Sequence, residues 1–253
     1  MSGLQVITPD WPAPDNIVAL TTTRICGVSL APFDGFNMAA HVNDNAASVE
    51  ANRQALLNYC EGLQKVQWLN QIHSAKVVTA GAESCPDADA SITTEPALGC
   101  AVMTADCLPL IVCDKHGHQV AAAHAGWRGL ASGVIDNTVA QFSAPKSELM
   151  VWLGPAISQA NFEVGEEILQ QFLAAFETKD QDKVHQAFKP NIHREGHYFA
   201  DLYQLARIRF NALGITNIYG GNFCSFDDSQ RFYSYRRDGQ TGRMVTLIYK
   251  RPV

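Results

Sequence analysis

Three apolar runs follow one another in the middle of the chain: Gly99-Cys100-Ala101-Val102-Met103, Leu108-Pro109-Leu110-Ile111-Val112-Cys113 and Val120-Ala121-Ala122-Ala123-His124. None alternates apolar with polar residues, so none can lie with one face in water, and each reads as a strand buried on both faces. All are far shorter than the ~20 residues a membrane-spanning helix needs. Such strands need apolar cover on two sides, which a chain 47% hydrophobic and 17% charged can supply. That balance excludes a disordered chain, collagen and a coiled coil.

Around this centre, strands alternate with helices. Residues 17–23 are rich in β-branched side chains and read as a strand, followed by a loop marked by Gly27, Pro32 and Gly35. Asp44 is placed to cap a helix with Ala46, Val49, Leu56 and Cys60 near one face. Short strands at 66–69 and 76–79 flank a polar turn. Leu130, Val134, Thr138 and Phe142 recur every fourth residue and read as one helix, before a strand at 149–153. Leu169, Phe172, Leu173 and Phe176 mark another helix, and 177–197 reads as a polar surface excursion. Asp201 caps a helix carrying Leu202, Leu205, Ile208 and Leu213, closed by Gly214. Strands at 232–235 and 244–249 are joined by a turn through 237–243. With no repeat or linker, the expectation is a single α/β domain over 1–253, built of layered mixed β-sheets flanked by helices.

The chain carries 19 Lys+Arg against 25 Asp+Glu, a net charge of -6. This argues against nonspecific binding to nucleic acid or an anionic membrane while leaving a local basic pocket open. Seven cysteines form an odd set without a Cys-x-x-Cys pair, which reads neither as a disulfide framework nor as a zinc ribbon. The N-terminus has no basic segment followed by an apolar run, so no signal peptide is expected and the location inferred is cytoplasmic.

His73, Cys107 and His124 sit where strands meet loops. Two imidazoles and a thiolate suit zinc or copper, and three protein ligands leave a fourth position for water or substrate. Their sequence separations match no short-range zinc pattern, and a packed cysteine with loop-bonded histidines accounts for the same residues. Asp106, next to Cys107, can orient a ligand, accept a substrate proton or cap a turn. In Gly126-Trp127-Arg128-Gly129 the glycines allow close approach of a ligand, a helix start offers N–H groups, and Arg128 offers a fork of donors for an anion. An ordinary glycine-bounded turn with a surface arginine is the other reading. On a strand, Arg236 would share a face with Phe232 and Ser234, a set suited to a heteroaromatic ring bearing a sugar or an anion; a charge-protected edge strand fits equally. His116, His118, His193 and His197 read as surface residues.

The blocks Asn70-Gln71-Ile72-His73, Thr104-Ala105-Asp106-Cys107-Leu108-Pro109, Ala121 to Gly129, Gly154-Pro155-Ala156-Ile157 with Phe162-Glu163-Val164-Gly165, and Phe232 to Arg237 together resemble the laccase-domain family of purine nucleoside phosphorylases. That family includes proteins called polyphenol oxidase and peptidoglycan editing factor. Thr21 to Arg24, Gly27-Val28-Ser29 and Phe36-Asn37 extend the resemblance to essentially the whole chain. It implies a metal site at His73, Cys107 and His124, with zinc as the usual ion and copper for oxidase activity. It also implies phosphorolysis of adenosine, inosine and 5'-methylthioadenosine, with adenosine deamination alongside.

On that footing Asp106 is the candidate proton shuttle, Arg128 and Gly126 are candidates for phosphate, and Arg24, Asn37 and Arg236 for sugar, base or anion. The expected partners are a nucleoside and phosphate. Three other readings stay open: a Cys107/His124 hydrolase acting on a peptidoglycan precursor, a copper polyphenol oxidase, and a metal-responsive binding module.

Overall fold

The computed structural model describes residues 3–252. The three apolar runs form β6 (Leu98–Thr104), β7 (Leu108–Asp114) and β8 (Val120–Ala125), and every residue in them is buried. The short turn after β6 carries the chain from one sheet to another. In the first sheet the order is β1 (Val6–Ile7), β2 (Ile17–Thr22), β14 (Met244–Lys250), β6 and β3 (Lys65–Gln67), with only β3 parallel to its neighbour. The second runs β13 (Asn217–Gly220), β9 (Leu149–Leu153), β7, β8, β5 (Ala90–Thr93) and β4 (Val77–Thr79), with both edge strands parallel to their neighbours. A small third sheet holds β10 (Glu163–Gly165), β12 (His197–Ala200) and β11 (Phe188–Pro190).

The two large sheets lie face to face, and the period of two along each strand decides what each side chain meets. Cys100, Val102 and Ile248 of the first sheet meet Ile111, Cys113, Ala122 and Trp152 of the second. The alternate residues of the first sheet, Ala101, Met103 and Leu247, turn outward onto Leu56 of α1 (Ala46–Tyr59). Leu108, Leu110 and Val112 turn outward from the second sheet onto α2 (Trp127–Ala131), α3 (Val134–Val139), α4 (Glu166–Ala175), α5 (Gln181–Gln186) and α6 (Leu202–Ala212). The result is a mixed α/β fold in layers, helix, sheet, sheet, helices. No helix among the described residues is long and apolar enough to cross a membrane.

Local chemistry moves several expected boundaries. Asn45, not Asp44, caps α1, its side chain accepting from the amides of Ala47 and Ser48. Asp44 instead accepts from Asn37 and the Asn45 amide. The helix read through Leu130 and Phe142 is two helices, because Gly133 adopts φ 90 between α2 and α3. Leu130, Val134, Thr138 and Phe142 are nevertheless all buried. The 177–197 excursion holds α5 and β11, with Val184, Ala187 and Phe188 in the core. Residues 232–235 are not a strand: Ser234 caps the short helix α7 (Tyr235–Asp238), its hydroxyl accepting from the Arg237 amide. Asp201 caps α6 as expected.

Two tests follow from this packing. Trp152→Ala empties a site 1% exposed between the sheets and is expected to cost about 3–5 kcal/mol in urea unfolding. Asp114, at the end of β7, accepts from the amides of His116, His118 and Gln119. Burial pushes its pKa up, but these hydrogen bonds outweigh that and hold the carboxyl below its ordinary value. Its contribution is therefore present above the unfolded carboxylate range and lost as pH falls through the folded value. The stability deficit of Asp114→Ala, measured against wild type at neutral pH, is expected to shrink as the pH drops below about 4.

Candidate metal centre

Cys107 sits in the turn between β6 and β7, His124 on β8, and His73 in the loop ahead of β4; their ligand atoms all lie within 4.8 Å of one another. The two imidazole rings meet edge to face at 4.8 Å between centroids. Both flanking turns hold non-glycine residues in the left-handed region, His73 at φ 59 and Asp106 at φ 91. Such backbone persists only where its surroundings over-determine it.

Here the surroundings are Asp89, fully buried at the start of β5. One of its oxygens is 2.8 Å from His124 Nδ1 and accepts from the His73 amide at 3.0 Å. The other accepts from the amides of Ile72 and Ser74 and from the Ser74 hydroxyl. Gln71 adds a second clamp, its amide donating to the Met103 carbonyl and accepting from the Met103 amide. With Nδ1 engaged by the carboxylate, His124 presents Nε2 to the centre.

The thiols separate cleanly. All seven cysteines are free, and burial pushes Cys60 up to about 11 and Cys100 and Cys113 up to about 12. Burial acts the same way on Cys107, but its interactions with His124 and His73 outweigh it and bring that thiol down to about 6. Burial favours neutral His124, while the Cys107 thiolate and Asp89 outweigh it and raise the ring's pKa. A thiolate facing two imidazoles is a borderline-soft donor set with an open side, which fits zinc or copper. Gly126 leaves the space: a Cβ there would stand 3.0 Å from Cys107 Sγ, 3.3 Å from His73 Cδ2 and 3.4 Å from His124 Nε2.

The three residues open into a cavity of about 370 Å³, also lined by His41, Gln71, Met103, Thr104, Ala105, Tyr235 and Arg243. A larger, more open cleft of about 760 Å³ lies around Lys189, Asp201, Tyr203, Arg207 and Cys224. It contains none of the three convergent residues, so the smaller cavity is the candidate site.

Of the other sequence candidates, Asp106, Arg24, Asn37, Arg128 and Arg236 are not on the lining of this cavity. Both carboxylate oxygens of Asp106 are engaged, by the Ser225 hydroxyl at 2.7 Å and the Arg236 amide at 2.6 Å, so Asp106 ties the Cys107 turn to α7. Arg236 donates to the Glu163 carbonyl and stacks over Phe162. Arg24 pairs with Asp34 and stacks on Tyr233. Arg128 is exposed over its own neighbour, Trp127. Asn37 is fully buried and donates to Ala39 and Asp44 while accepting from the amides of Ala39 and Arg243. Asp89, His41, Tyr235 and Arg243 were not singled out from sequence. A lone aspartate before a strand has no motif, and Arg243 lay in a segment read only as a turn. His116, His118 and His193 are exposed as expected, while His197 is half-buried beside Glu163.

Residues 18–251 match the family described as multi-copper polyphenol oxidoreductase laccase. A Pseudomonas aeruginosa protein named purine nucleoside phosphorylase is 49% identical over 96% of this chain and 97% of its own length. Escherichia coli purine nucleoside phosphorylase YfiH is 43% identical, covering 97% and 98%. Among solved structures, a Neisseria meningitidis protein superposes with a TM-score of 0.90 at 45% identity, covering 98% of this chain and 99% of that one. YlmD from Geobacillus stearothermophilus gives 0.89 at 27% identity, covering 100% and 98%.

Asp89→Ala removes the acceptor from His124 Nδ1 and from the loop amides at once. The His124 donor is buried and the loop amides part-buried, so a loss of about 1–3 kcal/mol is expected in urea unfolding, with about 10–100-fold weaker zinc binding. Arg128→Ala, at an exposed position, should stay within about 0.5 kcal/mol of wild type.

Proposed function

This chain belongs to the multi-copper polyphenol oxidoreductase laccase family, and from that premise we propose that it is a zinc-dependent purine nucleoside phosphorylase. It cleaves adenosine, inosine and 5'-methylthioadenosine with phosphate, releasing the base and the corresponding ribose 1-phosphate, with adenosine deamination as a parallel reaction. The observation that carries this reading is the convergence of His73, Cys107 and His124 on one ligand-sized cavity, in a chain whose full-length relatives bear the phosphorylase name. The free cysteines fit a reducing compartment, and we place the enzyme in the cytoplasm.

His73, Cys107 and His124 would hold the ion, which would supply Lewis acidity beside the cavity. The rest is done by the chain. Asp89 fixes the His124 ring and the His73 loop in one arrangement before substrate arrives. Met103 and Ala105 give the cavity an apolar wall, and Tyr235, 60% exposed at its edge, offers an aromatic face to a purine. Holding nucleoside and phosphate together in one small cavity removes much of the entropic cost of a two-substrate reaction. The new bond joins a phosphate oxygen to the ribose C1', the bond from C1' to the purine nitrogen breaks, and the proton of hydrogen phosphate ends on the departing base.

A second reading has its own support, because Cys107, His124 and Asp89 form a thiolate, imidazole and carboxylate in series. That order suits a cysteine hydrolase acting on a peptidoglycan precursor. It leaves His73 without a task, whereas a metal centre uses all three donors.

Chromatography of incubations with each nucleoside, with and without phosphate, is expected to give base and ribose 1-phosphate only when phosphate is present. Chelation is expected to abolish that turnover while the far-ultraviolet circular dichroism stays unchanged, since three ligands leave the centre open and the fold rests on its two-sheet core. Full activity in metal-free protein would move the assignment to the hydrolase.

A further inference from the structure

The cavity beside the three ligands has no carboxylate on its lining, although the chain as a whole carries a net charge of -6. It does have a guanidinium. Arg24, Arg209, Arg231 and Arg237 each pair with a carboxylate, and of the arginines that do not, Arg243 alone lines this cavity. Arg243 pairs with no carboxylate among the described residues. Its Nη1 donates to the carbonyls of Thr241 and Gly242, and its guanidinium lies 5.8 Å from the centre of the Tyr235 ring.

Its position is built rather than incidental. The Arg243 amide donates to the Asn37 side chain, and the Arg243 carbonyl accepts from the Met38 amide. The same Asn37 side chain holds Ala39 and Asp44, which bracket the turn bearing His41. One buried amide therefore sets both polar groups on this side of the cavity. His41 is largely open to solvent, and partial burial followed by the nearby Arg243 and Arg53 guanidiniums opposes its protonation. Burial disfavours the charge of Arg243, while the nearby Cys107, Asp106 and Tyr235 favour it. A guanidinium that lines the cavity without an ion-pair partner, next to a histidine and with no carboxylate on the lining, offers its free donors to an anion.

We infer that Arg243, with His41 beside it, is the binding site for the inorganic phosphate co-substrate, within reach of the metal cavity and in place of the exposed Arg128. The guanidinium fork matches two phosphate oxygens, and the His41 ring can donate a further hydrogen bond. The anion is thereby desolvated and oriented next to the nucleoside. As a statement about phosphorolysis this rests on the function proposed above; as a statement about anion binding it stands alone.

The test separates the two. Calorimetric titration of the purified protein with inorganic phosphate reads the site without turnover, and the KM for phosphate in inosine cleavage reads its role. Arg243→Gln is expected to weaken phosphate binding and raise that KM at least tenfold, with zinc content and the KM for inosine within about twofold of wild type. Arg243→Lys keeps a cation and should recover part of the loss, which also covers the case in which the glutamine variant folds poorly. Arg128→Ala should change neither constant. Phosphate affinity unchanged in folded Arg243→Gln and Arg243→Lys, or lost in Arg128→Ala, overturns the assignment. A wild-type protein that binds phosphate through Arg243 yet releases no ribose 1-phosphate keeps the anion site and removes the phosphorylase.

Discussion

The site depends on one buried carboxylate. Asp89 stands at the start of β5, where its own carbonyl accepts from the His124 amide and its side chain reaches the His124 ring and the amides of 72–74. Strand register puts it there: β5 and β8 pair with Ala90 opposite Ala123, so the next step along the ladder brings Asp89 beside His124. Burying a carboxylate is costly unless its charge is met, and here the His124 ring and several N–H donors meet it. Burial works against the ionised form, yet the bonds from His124 and Ser74 hold its pKa below the ordinary value. The cost of burying the charge is thus converted into a fixed geometry for two candidate ligands, His73 and His124, on separate segments.

That geometry also explains why the ligands come from places so far apart in sequence. Face-to-face packing of the large sheets brings the turn leaving β6, the end of β8 and the loop before β4 to one rim of the second sheet. Asp106 then ties the same turn to Ser225 and to the start of α7. The residue that looked like a proton shuttle spends both oxygens on placing its neighbours. Asn37 has the same character, reading from sequence as a possible substrate contact and acting in the fold as a buried brace between the His41 turn and Arg243.

The strands β6, β7 and β8 were legible because both faces are covered, which removes polar residues from the run and leaves an unbroken apolar signature. The 130–142 helix and the 232–235 strand were misread for a local reason. Glycine at 133 interrupts a spacing that stays intact on the buried side, and a serine cap at 234 turns an aromatic-rich segment into helix. The metal trio was legible only as part of motif blocks, since strand pairing, not spacing, brings the three together. Asp89 and Arg243 carry no motif. What marks them out is burial for Asp89 and, for Arg243, a place on the cavity without an ion-pair partner, properties that exist only once the chain is folded.

The family's description speaks of several coppers, and the donor inventory bears on that. Oxidising a phenol while reducing dioxygen requires several one-electron centres, each with its own imidazole or thiolate ligands. Among the described residues, His73, Cys107 and His124 are the one group of three or more His, Cys, Asp or Glu placed to hold an ion. His116 and His118 stack on each other at 5.6 Å on the exposed turn after β7, and His197 lies 3.0 Å from Glu163. One three-ligand centre cannot gather four electrons, but it can polarise a bond in a substrate held beside it. A cavity of about 370 Å³ with an aromatic edge, an unpaired guanidinium and no carboxylate on its lining suits the breaking of a polar bond in an anion's presence, which is the chemistry of group transfer.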